Sequence, residues 1–165
     1  MAHIQNAIQN GRIPTYEELV EAVRASSYSL DSIPKPHRTY ELCVEAIKND
    51  INNYVLGVIQ PDDFKQDKYK YLCLLSVQKS RSFENIPAIL ITYEFCLACV
   101  RVNSLTLENI PYNFRNSELC IEAYKQNYMC YTYIPENIKI EIDAFVNNMN
   151  DNVEILHLCT FKTPT

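Results

Sequence analysis

Tryptophan is absent from the 165-residue chain, and only two glycines occur. So little glycine leaves no material for a Gly-rich phosphate loop, and no His-Glu-x-x-His is present. Apolar runs are short. Ile89-Leu90-Ile91 and Leu72 to Leu75 fall far below the roughly 20 residues that span a bilayer, so no membrane span is expected. Positive charge is scarce as well: 15 basic against 20 acidic residues give a net charge of −5. A nucleic acid needs a cationic counter-surface, so it is not an expected partner, and acidic substrates and anionic membranes are disfavoured with it. No Pro-, Gly- or Ser-rich run serves as a linker. The N-terminal stretch has neither a basic segment nor a sustained apolar one, so no secretory signal is expected and a reducing cytoplasmic setting is. Seven cysteines, an odd number, then read as free thiols.

The composition that remains, 47% hydrophobic and 21% charged, is that of a folded domain. It leans to Asn, Ile, Tyr and Lys, as AT-rich coding DNA would give. What organises it is a repeat. Tyr40-Glu-Leu-Cys-Val-Glu-Ala-Ile47 recurs at Tyr16 to Val23, Tyr93 to Val100 and Ser117 to Tyr124, and in divergent form at Lys70 to Val77. Each copy is followed by an apolar-x-x-Ile-Pro signature, as at Leu30 to Pro34, Phe83 to Pro87, Leu107 to Pro111 and Tyr131 to Pro135, with a longer version from Leu56 to Pro61. Pro87 to Pro111 and Pro111 to Pro135 are each 24 residues.

With the Cys of each copy as place zero, apolar residues fill places −1, 0, +1, +3 and +4, an arc of about 200° on a helix. So wide an arc predicts a helix clamped between its neighbours, the way a solenoid builds one core from units that cannot bury their own faces. Thr39, Thr92 and Asn116 stand where a side-chain oxygen caps the helix start, and Glu41, Glu94 and Glu118 follow in the first turn. Arg24, Lys48, Arg101 and Lys125 at place +5 suit the negative end. A short second helix carrying Leu30/Ile33, Phe83/Ile86 or Leu107/Ile110 is expected to end at the Pro behind it. A leucine-rich repeat has a similar period but needs a Leu-x-Leu strand, whereas Glu-Leu-Cys-Val-Glu-Ala-Ile-Lys is helical.

The expected fold is therefore all-α: tandem helix-turn-helix repeats of about 24 residues in a short α-solenoid, one domain over 1–165. Residues 1–14 form the N-terminal cap, with a helix through Ile4, Ala7 and Ile8 ending near Gly11. About five repeats occupy 15–135. Residues 136–165 supply a capping helix through Ile138, Ile142, Phe145, Val146 and Met149, then a tail whose Val153 to Phe161 suits strand or helix equally.

The consensus Ile-Pro-x-x-x-Arg-Thr-x-Glu-Leu-Cys-x-x-Ala-Ile-Lys, carried by Ile33 through Lys48 and again by Ile110 through Lys125, resembles a tandem-repeat family of unknown function found in bacteria and amoeba-infecting giant viruses. The resemblance covers roughly residues 15 to 139. It implies no catalytic residues, and with the AT-rich bias it implies a large DNA virus as the source. Unit three departs from the pattern: Pro61 and Cys73 are 12 residues apart where Pro34 and Cys43 are 9 apart, and the Thr-x-Glu start is missing.

Chemistry-bearing patterns are few. Cys96-x-x-Cys99 occupies the repeat's Cys and Ala places, so packing explains it better than metal or redox work. His3, His37 and His157 share no face and have no nucleophile beside them. The Glu rows at −2 and +2 and the basic row at +5 read as a solvated, ion-paired ridge. Unit three interrupts it: Tyr71 stands at −2, Leu75 at +2 and Gln78 at +5, and Ala98 continues the neutral stretch into unit four. Together with Phe64 in the lengthened turn these residues are the candidate partner-binding site, unless that turn folds back over Tyr71 and Leu75. The expected function is a non-enzymatic protein-interaction module, without cofactor or metal. A self-assembling homodimer is the alternative.

Overall fold

A threonine or asparagine side chain closes the first turn of four of the five repeated helices. Thr15 accepts from the Glu18 N–H, Thr39 from Leu42, Thr92 from Phe95 and Asn116 from Leu119. These caps set the starts of α1 (Tyr16–Ala25), α2 (Tyr40–Lys48), α5 (Tyr93–Val102) and α6 (Ser117–Gln126). At α1 the cap is reciprocal, since Glu18 also accepts from the Thr15 N–H at 2.8 Å. The computed structural model describes residues 6–7 and 10–160, with side chains in the last helix as far as Asn148. Among these residues every element is helical. His3, Ile4 and Ile8, and the side chains of Met149 and His157, lie outside the described residues; Ala7 is buried, and Gly11 takes the left-handed turn (φ 70°) that ends the first segment.

Unit three lacks the capping threonine, and its helix α4 (Gln66–Ser80) begins earlier. Place −4 there is Tyr69, which is helical and buried. The final helix, α7 (Glu136–Thr160), buries Ile138 and Ile142, and its backbone is helical from Val153 to Thr160, in the stretch equally suited to a strand, whose last residue, Phe161, lies outside the described residues.

The expected second helix is a full α-turn only in unit two, as α3 (Tyr54–Val58). Elsewhere it tightens to 3₁₀ geometry at Ser27–Ser32, Ser104–Glu108 and Tyr128–Tyr133, and in unit three to a turn. Leu30, Ile33, Leu107 and Ile110 are nevertheless fully buried, as their i, i+3 spacing requires. The proline behind each turn also opens a further 3₁₀ turn at Lys35–His37, Pro61–Asp63, Ala88–Leu90 and Tyr112–Phe114. Pro61 takes the first position of its turn, where a missing N–H costs nothing, while Pro34, Pro87 and Pro111 stand at the cap and accept the turn's first bond on their carbonyls.

Successive long helices pack in chain order, α1 on α2, α2 on α4, α4 on α5, α5 on α6 and α6 on α7. This order is consistent with a stack of repeats. Phe95 joins the N-terminal apolar cluster while its neighbour Cys96 joins the C-terminal one, and Phe83 and Ile91 pack against both. A single helix thus serves the units before and after it. Burial follows the register at places −1, 0, +3 and +4 in α2, where Leu42, Cys43, Ala46 and Ile47 are at most 1% exposed. Place +1 departs from the expected clamp. Val20, Val44, Leu74, Leu97 and Ile121 are all only partly buried, because this row faces the open side of the stack.

Candidate interaction surface

The charged ridge is ion-paired between units at both ends of the chain. Arg24 Nε lies 3.1 Å from Glu45 Oε2, and Arg101 Nε 3.5 Å from Glu122 Oε1, each joining place +5 of one unit to place +2 of the next. Tyr93 donates its hydroxyl to Glu118 at 2.7 Å across the same boundary. Between units two and three the partner position is Leu75, so Lys48 turns back to Glu45 of its own helix at 2.9 Å. Bonds from Lys48 and Arg24 hold the Glu45 carboxyl below the ordinary range. Between units three and four both positions, Gln78 and Ala98, are uncharged.

Tyr71 is 52% exposed and Leu75 partly buried against the core. The lengthened turn does not fold over Tyr71. Instead Phe64 sets its ring edge-on to Tyr40, with centroids 5.8 Å apart, and Lys68 Nζ stands 4.5 Å over the Tyr40 ring. Phe64 otherwise lines a separate apolar cleft with Tyr69, Pro87, Ile89 and Leu90. Gln78 is exposed and Ala98 partly buried, away from both cavities. The five sequence candidates are therefore not brought to one place.

What the fold does bring together is Tyr71 with residues of units one and two. Tyr16, Tyr40 and Tyr71 wall a groove of about 510 Å³ that crosses α1, α2 and α4. Val20 and Val44, the half-open place +1, form its floor; Arg24, Glu45 and Lys48 close one end and Glu41 lies at the other. Burial, then the charges of Tyr71 and Glu41, raise the Tyr40 hydroxyl above its usual pKa. Tyr16 and Tyr40 share place −3, and this row was the signal in the sequence: read as a row beside +1, it marks an aromatic-aliphatic stripe.

The thiols are embedded. Cys96 and Cys99 are both fully buried, as are Cys73, Cys120 and Cys130, while Cys43 is 1% exposed. Burial pushes Cys43 and Cys73 up to about 12, Cys96 and Cys120 to about 11, and Cys99 higher still. Thiols held protonated this way are packing groups, in keeping with the places they occupy in the repeat. Among the described residues no cluster of His, Cys, Asp and Glu could hold a metal ion, and no helix is long and apolar enough to cross a membrane.

The arginine of the consensus has a role that spacing alone did not disclose. Arg38 donates to the carbonyls of Ile33 (2.6 Å), Asp31 (3.0 Å) and Val58 (3.3 Å). Arg115 repeats the set on Ile110 (2.8 Å), Glu108 (3.0 Å) and Tyr133 (3.0 Å). Each guanidinium staples the turn of one unit to the turn of the next.

Neither a curated protein nor a solved structure matches the chain. Residues 92–139, from the Thr92 cap through α5, α6 and their turns into the start of α7, are similar to a family described as a domain of unknown function, DUF4116.

Proposed function

We propose that this chain is a non-enzymatic protein-interaction module whose docking surface is the exposed face of α1, α2 and α4. The observation that carries the reading is the groove itself: three partly exposed tyrosines and two half-buried valines from successive helices line one cavity, with the Arg24–Glu45 ion pair at its end. Half-exposed tyrosines supply large contact area at little entropic cost, which is why such rings anchor interfaces. The net charge of −5 favours a protein partner over nucleic acid or an anionic membrane. The reading calls for no cofactor. It belongs with the proposal that the units form a repeat solenoid of the bacterial and giant-virus kind, acting in the cytoplasm, of the host where the source is viral.

A homodimer is the second reading. It is favoured by Ile89, 86% exposed at the lip of the apolar cleft beside Phe64 and Leu90. Affinity purification of the tagged protein from its native cell, alongside light scattering, separates the two. The module predicts a specific partner that is lost in a Tyr16→Ala, Tyr71→Ala variant whose helicity is unchanged. Recovery of a dimer alone, unaffected by those substitutions but broken by Ile89→Arg, establishes self-assembly instead.

A further inference from the structure

Three asparagines are followed by glycine or serine: Asn10-Gly11, Asn103-Ser104 and Asn116-Ser117. A small following residue lets the next backbone nitrogen meet the side-chain amide carbon, so by sequence all three are open to the same ring closure. The fold separates them. Asn103 accepts from the Leu105 N–H at 3.1 Å and donates to the Gln78 carbonyl at 3.3 Å, and Asn116 accepts from the Leu119 N–H at 2.9 Å. Those bonds hold each amide against its turn. Asn10 is exposed, and its side-chain amide forms no hydrogen bond to the described residues.

Gly11 completes the arrangement. Its φ of 70° is a conformation that glycine adopts without strain, and nothing lies within 4 Å of the point a Cβ would occupy. The Asn10–Gly11 peptide therefore turns without meeting a side chain. Two backbone bonds restrain it, from the Asn10 N–H to the Asn6 carbonyl at 3.0 Å and from the Arg12 N–H to the Ala7 carbonyl at 2.9 Å. Asn6, Asn10, Gly11 and Arg12 are all exposed, so these bonds open by local fraying and not by unfolding of the stack.

We infer that Asn10 is a site of spontaneous covalent modification, a slow conversion to aspartate and isoaspartate that undoes the turn at Gly11. The Gly11 nitrogen gives up its proton and attacks Asn10 Cγ; the Cγ–Nδ2 bond breaks, ammonia leaves and a five-membered succinimide closes. Water then adds at one of the two ring carbonyls. Opening at Cγ restores the ordinary chain with an aspartate at position 10. Opening at the main-chain carbonyl leaves an isoaspartyl link, in which the chain runs through Cβ and Cγ and is longer by an atom. The Arg12–Ala7 bond spans that link, so the longer chain pulls it out of register and frees the buried Ala7. The Arg12–Glu18 pair and the Glu18–Thr15 cap lie beyond the link and hold α1 as before.

The test is to age the full-length folded protein under mildly alkaline conditions and follow each asparagine by mass spectrometry of proteolytic peptides, with enzymatic methylation of isoaspartyl carboxylates as a second readout. Each rate is taken relative to that of the same site in urea, which removes the difference between glycine and serine as neighbours. Asn10 is expected to keep a rate close to its unfolded one, while Asn103 and Asn116 fall at least about tenfold below theirs, the factor for one net hydrogen bond. The rate at Asn10 should rise with pH, because the attacking nitrogen must lose its proton. Ageing should also abolish the hydrogen-exchange protection of the Arg12 amide. Asn10→Gln, whose longer side chain closes no five-membered ring, should preserve that protection. Protection of Asn10 equal to that of Asn103 and Asn116, or no conversion of Asn10 even in urea, overturns the inference. So does isoaspartyl conversion that leaves the Arg12 amide protected, or loss of that protection in aged Asn10→Gln protein.

Discussion

Two kinds of arginine occur in this chain, and they differ in what removing them exposes. Arg115 satisfies three backbone carbonyls from a partly buried position, so Arg115→Ala strands acceptors that water reaches poorly. A cost of about 2–4 kcal/mol is expected from denaturant melts. Arg115→Lys should recover little, because one ammonium cannot reproduce the planar fork. Arg101, paired at 3.5 Å on the surface, should cost below about 1 kcal/mol when truncated. Equal losses at the two sites would refute the stapling role. The buried thiols make a second prediction, with a definite sign. Thiols of the unfolded chain ionise near pH 8.5, while those of the folded chain are withheld to about 11 or 12. The stability gained by the protonated form is therefore complete below about pH 8.5 and is lost as pH rises from there through the folded values. Melting temperature should decline across that alkaline window, and Cys99→Ala, which restores the residue of the equivalent place in Ala22, Ala46 and Ala123, should make the decline shallower. A flat profile would mean that thiolates form without unfolding.

Elements begin and end for reasons largely written in the sequence, and the exceptions are instructive. The caps at Thr39, Thr92 and Asn116 were readable because a single side chain meets a single local N–H. A second row of turn-closing side chains at place +7 went unread, although Asp50, Ser80, Asn103 and Asn127 are all turn-forming types; Ser26, at the same place in unit one, makes no such bond. Asn103 and Asn127 accept from the N–H two residues on at 3.1 and 3.0 Å, and Ser80 does the same from Ser82 at 3.1 Å. Asp50 goes further. Only 3% exposed, it takes the N–H of Asn52 at 3.2 Å and of Val55 at 2.6 Å, which holds the entry to α3. Thr39→Ala should cost about 1 kcal/mol, the usual worth of a solvent-accessible cap. Asp50→Ala should cost more, about 2–3 kcal/mol, because it orphans a buried N–H as well; comparable values for the two would contradict that account. The tightening of the second helix to 3₁₀ turns was not legible, since an i, i+3 apolar pair is satisfied by either geometry.

At the scale of the molecule, the order of stacking was legible and the groove was not. Stacking follows from a face too wide for one neighbour, which the spacing of Leu42, Cys43, Ala46 and Ile47 declares. The groove is a relation among three helices at once, and unit three enters it through Tyr71 at place −2 while units one and two enter through place −3. Unit three carries Lys70 at place −3 and its tyrosine one place on, beside Glu41 of unit two, whereas the break in the charged rows pointed to a neutral patch around Leu75 instead. The joints between units are also unequal in a way only the assembled chain reveals. Units one and two are fastened by Arg38 and the Arg24–Glu45 pair, and units four and five by Arg115, Arg101–Glu122 and Tyr93–Glu118. Units two and three are joined by Lys35–Asp63 at 3.7 Å, by Lys68 over the Tyr40 ring and by an amide, whereas units three and four rely on neutral amides. Asn85 Nδ2 donates to the Asn53 carbonyl at 2.8 Å across a gap kept open by Gly57, where a Cβ would lie 3.2 Å from Asn85 Oδ1. Asn103 and Asn109 reach the carbonyls of Gln78 and Arg81 at 3.3 and 3.0 Å. Under tension this inequality becomes mechanical. A chain held by handles at residues 15 and 148 in an optical trap is a line of links with its weakest in the middle. It should yield first between α4 and α5 at low force, and then release two stiffer end segments, each rupturing later as its guanidinium clasp lets go.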